Sequence, residues 1–146
     1  MRIQEPPTDE LLNELLESTD ASSYLASRSN DINMRLSECL GELLTQKGLK
    51  VADVIGHTSL STSYAYEIFN GTKSNIGRDR LLQLAFAMGL NAQETQRLLK
   101  RALLSELYVK NERDAVIIYC LARRKTLEQT NQELFSLGYL TLCQET

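Results

Sequence analysis

The side chains in this sequence that could carry out catalysis or hold a metal are few and scattered. His57 is the only histidine, so no metal site with several imidazole ligands can be built from it, and no Ser-His-Asp constellation is indicated. Cys39, Cys120 and Cys143 are widely spaced and form no C-x-x-C pair, which fits reduced thiols filling the core rather than a zinc knuckle or a disulfide framework. Neither a G-x-x-x-x-G-K-[ST] phosphate loop nor a G-x-G-x-x-G fingerprint occurs. Neighbouring carboxylates such as Asp9 and Glu10 suit the first turn of a helix better than acid-base work. The expectation is therefore a protein that is not an enzyme and needs no cofactor or metal. What stands out instead is a hydroxyl-rich stretch, Ser61, Thr62, Ser63, Tyr64 and Tyr66, flanked by Lys50, Lys73, Asn75 and Arg78. That combination suits non-covalent recognition by hydrogen bonds and charge.

Charge distribution singles out the same stretch. The formal net charge is -3, which by itself argues mildly against a nucleic-acid partner, since affinity for phosphate comes from concentrated Lys and Arg. Residues 1–46 hold three basic and nine acidic groups, residues 47–80 five and three, and residues 81–146 eight and seven. The local balance of residues 47–80 is thus positive, while the acidity is gathered in the N-terminal third. A chain of 146 residues with 42% hydrophobic and 24% charged residues can build one proper core. No run approaches the roughly 18 apolar residues of a membrane span, and Met1 to Pro7 has no signal-like character, so a cytoplasmic protein without membrane contact is expected.

The elements that must position the hydroxyl stretch read as helices throughout. Thr8 caps a short amphipathic helix with Leu11, Leu12, Leu15 and Leu16 on one stripe, and Ser18 to Asn30 reads as a linker. From Asp31, the residues Ile32, Leu36, Leu40, Leu43 and Leu44 recur at helical spacing up to Gly48. A short helix is expected over Lys50 to Ile55, a tight segment over Gly56 to Leu60, and a helix to Phe69 with Ser61 as its N-cap. Leu81, Leu84, Ala85 and Met88 mark the next helix, stopped by Gly89; Asn91 and Glu94 form a capping box for another running to about Leu104. Asn111 and Thr126 cap two further helices, the last ended by Gly138, and Tyr139 to Leu142 reads as an extended strip. Arg123, Arg124 and Lys125 fall at a helix C-terminus, where cations favour the dipole without any ligand.

Residues Arg35 to Leu99 resemble the phage-repressor (XRE-type) helix-turn-helix family of DNA-binding transcriptional regulators. The segments that carry the resemblance are an opening helix ending "LLTQKGLK", a short helix "VADVIG", a turn "HTSL", a second helix "STSYAYEIFNG" and the downstream "RDRLLQLAFAMGLNAQETQRLL". It implies an all-α protein: residues 31–104 as a five-helix repressor-like domain, residues 1–30 as an N-terminal helical arm and linker, and residues 105–146 as an extension of two helices. Where the family commonly has Ala, Gly, Gln and Glu, this sequence has Ile55, Ser59, Val51 and Phe69.

By the resemblance, Ser61, Thr62, Ser63, Tyr64 and Tyr66 face DNA, with Tyr64 reaching into the groove and Tyr66 its rim. Leu60, Ala65, Ile68 and Phe69 turn inward, and Lys50, Lys73, Asn75 and Arg78 clamp phosphates. The strong bidentate readers of guanine and adenine are absent from the second helix, so direct base readout is modest. The implied function is sequence-specific regulation of transcription by a homodimer on double-stranded DNA. Two alternatives remain: a protein-interaction module using the tyrosine-bearing helix, and an antitoxin that engages a partner through its N-terminal arm or C-terminal helices.

Overall fold

The computed structural model of the protein describes residues 36–73 and 75–143, and every regular element among them is a helix. Helix α1 covers residues 36–47. It is followed by α2 (Val51–Gly56), α3 (Thr62–Phe69), α4 (Arg78–Ala87), α5 (Ala92–Arg101), α6 (Glu112–Ala122) and α7 (Leu127–Ser136). The helix expected from Thr8 and the Ser18 to Asn30 linker lie outside the described residues. None of the described helices is long and apolar enough to cross a membrane.

Helix starts follow the capping chemistry read from the sequence. The Ser61 hydroxyl accepts from the Tyr64 amide, and the Asn111 side chain accepts from the Asp114 amide. Asn91 with Glu94, and Thr126 with Gln129, each form a reciprocal capping box. One helix end departs from expectation. Helix α5 stops at Arg101, three residues before the expected Leu104, because Leu103 takes the left-handed conformation (φ 56°). The amides of Leu103 and Leu104 then bond back to the carbonyls of Lys100 and Leu99, a closure usually made by glycine. The expected strip Tyr139 to Leu142 joins no sheet; it has no regular structure, and its Leu142 carbonyl accepts from the Gln83 side chain of α4.

Helix α4 is the centre of the molecule. Leu81, Leu82, Gln83, Leu84, Ala85 and Phe86 are all buried, a run of six that no amphipathic surface helix would show. The reason is its surroundings: α2, α5 and α7 all pack against it. Leu36 and Leu40 of α1, Val54 of α2 and Ile68 of α3 join the same core as Ile117 and Leu121 of α6, Leu134 of α7 and Leu142. The C-terminal helices therefore share one core with the preceding five.

Candidate functional site

Helix α3 is held by its inner face and presents its outer face to solvent. Ala65 and Ile68 are completely buried, and Leu60, Tyr64 and Phe69 pack half-buried against the same core. This leaves Thr62, Ser63 and Tyr66 exposed on one side of the helix, with Ser61 at its start and Asn70 at its end. Spacings of three and four residues put 62, 63, 66 and 70 on a single face. Beyond the helix, Gly71 takes φ 82°, which lets the chain fold back, so that the Thr72 and Lys73 amides reach the Glu67 carbonyl and the Asn70 side chain closes on the Thr72 amide.

The two tyrosines differ in exposure. Tyr66 is the exposed one, at 44%. Tyr64 packs half-buried against the core, with the Arg80 guanidinium 4.9 Å from its ring centroid and the Lys73 ammonium 5.5 Å from it. Tyr64 thus serves as an aromatic post that holds two cations beside α3. Lys73 also lies 3.8 Å from the Glu67 carboxylate, an exposed pair of small energetic weight. Sequence reading passed over Arg80, which sits two residues from Arg78 and is distinguished from it only by the tertiary position of Tyr64.

Arg78, expected as a phosphate clamp, is paired within the chain. Its two terminal nitrogens donate to the two carboxylate oxygens of Asp114, at 3.0 and 2.6 Å. Burial acts to raise the pKa of Asp114. The Arg78 side chain, the Tyr108 amide and the charge of Arg113 more than offset it and hold the carboxyl below the ordinary aspartate value. A second fork lies alongside, with Arg113 donating to both oxygens of Asp79 at 3.1 and 3.0 Å. Both pairs join the start of α4 to the start of α6. Of the other expected contact residues, Lys50 is the N-cap residue of α2 and is exposed, as are Lys73 and Asn75.

The connection from α2 to α3 runs through His57, Thr58, Ser59 and Leu60. The Thr58 hydroxyl donates to the Ile55 carbonyl and accepts from the Leu60 amide, while the Ser59 amide and hydroxyl both donate to the Gln83 side chain. The segment is therefore fixed at successive residues. An open groove of about 750 Å³ beside it is lined by Ser59, Ser61, Tyr64, Arg78, Arg80 and Gln83. A second groove of about 870 Å³ lies on the other side, where His57 and Phe86 face Leu127, Asn131 and Phe135 of α7.

Among the described residues no group of three or more His, Cys, Asp or Glu side chains is placed to hold a metal ion. The three cysteines are unpaired, and burial pushes the thiols of Cys39 and Cys120 up, which keeps them protonated. No known protein family, curated protein or solved structure matches the chain.

Proposed function

We propose that this protein is a sequence-specific, double-stranded-DNA-binding regulator of transcription, with α2 and α3 as the two helices of a helix-turn-helix and α3 as the recognition helix. The observation that carries this reading is the outward face of α3. Thr62, Ser63 and Tyr66 stand exposed on one side, the helix is anchored by Ala65 and Ile68 on the other, and Lys73 and Arg80 are held next to it on the ring of Tyr64. A short helix locked from behind, with hydrogen-bonding side chains in front and cations beside it, meets the requirements for entering a major groove. Ser61, Thr62 and Ser63 occupy the N-terminal end, from which recognition helices approach bases first. One such helix buries too little to specify a site, so the working form is a homodimer on two half-sites.

The roles of the tyrosines supply the test. In fluorescence anisotropy with a duplex selected from a randomised pool and with a scrambled duplex, Tyr66→Ala weakens the selected duplex by about 1–3 kcal/mol and leaves the scrambled one unchanged. Tyr64→Ala removes the ring beside Arg80 and Lys73 and weakens both duplexes alike. The opposite pattern, or no effect of either substitution in folded protein, overturns this assignment of α3.

A second reading, in which the fold serves a protein partner, is favoured by one observation. Phe135 and Leu137 at the end of α7, and Leu140 in the strip beyond it, are large apolar side chains that are 73%, 54% and 50% exposed. Apolar side chains of this size in contact with water suit an interface where they meet in one patch.

A further inference from the structure

Gln83 is a neutral polar side chain in the middle of the apolar α4, only 2% exposed. An amide in such a place is costly unless its hydrogen bonds are made. Here they are: its Oε1 accepts from the Ser59 amide and the Ser59 hydroxyl, both at 2.9 Å, and its Nε2 donates to the Leu142 carbonyl at 2.9 Å. One side chain thus ties together two backbone segments, one 24 residues before it and the other 59 residues after it.

The far end of this tie is itself firmly held. The Leu142 amide donates to the Asn131 side chain at 2.8 Å, and the Leu142 side chain is 2% exposed in the core. The carbonyls of Leu140 and Thr141 accept from Arg113, the same guanidinium that forks onto Asp79. Strip 140–142 is therefore fastened to α4, α6 and α7 together. Through Gln83 the fastening reaches Ser59, two positions ahead of Ser61, the N-cap of α3.

From this geometry we infer that Gln83 is a positioning residue: together with strip 140–142 it fixes the pose of α3, so that the C-terminal extension sets the sequence preference of the DNA-contacting face. The inference rests on the DNA-binding reading above. Its physical basis is a difference in tolerance. Hydrogen bonds to base edges fail when a donor is displaced by about 1 Å, whereas Lys and Arg on long flexible stems follow a phosphate over such a distance. Loosening the turn therefore removes preference between duplexes and spares general affinity.

The test uses the full chain and three variants. Gln83→Met keeps the length of the side chain and removes all three bonds. Ser59→Ala, at an exposed position, removes the hydroxyl bond and leaves the amide bond. Leu134→Val, in the core under α7, is a control that lowers the melting temperature without touching Ser59. All are compared well below their melting temperatures on the selected and the scrambled duplex, with hydrogen exchange at the Ser59 amide followed in parallel. Gln83→Met should lose about tenfold on the selected duplex, the size of one lost base contact, and nothing on the scrambled one. Its Ser59 amide should exchange faster, Ser59→Ala should fall between it and wild type, and Leu134→Val should keep its preference. Full preference in Gln83→Met, or an equal loss in Leu134→Val, overturns the positioning role. A wild-type protein that prefers no duplex overturns the DNA-binding reading itself, an outcome distinct from the other two.

Discussion

At the scale of single residues, the most consequential pairing joins two side chains 36 positions apart. Arg78 lies beside the hydroxyl-rich helix in the sequence and invites the role of a phosphate clamp, yet both its terminal nitrogens are bonded to the nearly buried carboxylate of Asp114. Nothing in local spacing points from one to the other, and the same holds for Gln83 and Leu142; such partners become visible only when α6 and the strip after α7 are packed on α4. The pairing makes two predictions. Arg78→Ala leaves the buried Asp114 charge without its bidentate partner and should destabilise the protein by about 3 kcal/mol in chemical denaturation. Because the folded pKa of Asp114 lies below its unfolded value of about 3.9, the pair contributes stability that is present above that pH and is lost as pH falls through the folded value. Acid titration of stability should therefore steepen below about pH 4 in wild type. The steepening should be reduced in Arg78→Ala; an unchanged acid limb would show that Asp114 is not held by Arg78.

At the scale of elements, most helix starts were legible and some helix ends were not, for a single physical reason. Ser61, Asn91, Asn111 and Thr126 mark the starts by side chains that bond the first free amides, and these residue types are readable in any sequence. Ends marked by Gly48, Gly89 and Gly138 are equally readable, since each takes a positive φ. Helices α5 and α6 instead close on Leu103 and Arg124, residues that do not advertise a left-handed conformation (φ 56° and 55°). A side chain in that conformation costs about 1–2 kcal/mol, which glycine avoids. Arg124 is exposed, and Arg123 and Lys125, which flank the Tyr119 ring, are separate from it. Arg124→Gly should therefore raise stability by about 1 kcal/mol in thermal denaturation. A loss of stability would mean that the closure of α6 is not strained at this position. The inward residues of α3 follow the helical periodicity, as Ala65 and Ile68 do. That Tyr64 is half-buried beside Arg80 of α4 while Tyr66 is exposed depends on tertiary packing and not on this periodicity.

At the scale of the whole molecule, a single core runs from Leu36 to Leu142 and makes the C-terminal helices part of the support for α3. The sequence displayed these helices by their caps and apolar spacing, but the tie from the C-terminal strip to the α2–α3 turn is made by Gln83, acting across the fold. Charge follows the same division of labour: residues 47–80 are locally basic in a chain of net charge -3. Lys73 and Arg80 lie beside α3 at the ring of Tyr64, Lys50 precedes α2, and Arg78 is paired with Asp114; each phosphate contact adds about 0.9 to the salt dependence of binding. The central claim, that α3 reads duplex DNA, is tested most directly by selecting binding sites from a fully randomised duplex pool and measuring the affinity of the enriched sequence against salt. The account predicts enrichment of a two-fold symmetric site, bound with a log-log salt slope of about 5 for a dimer with three phosphate-neutralising side chains per subunit. A pool that remains random after repeated rounds with folded protein would contradict it.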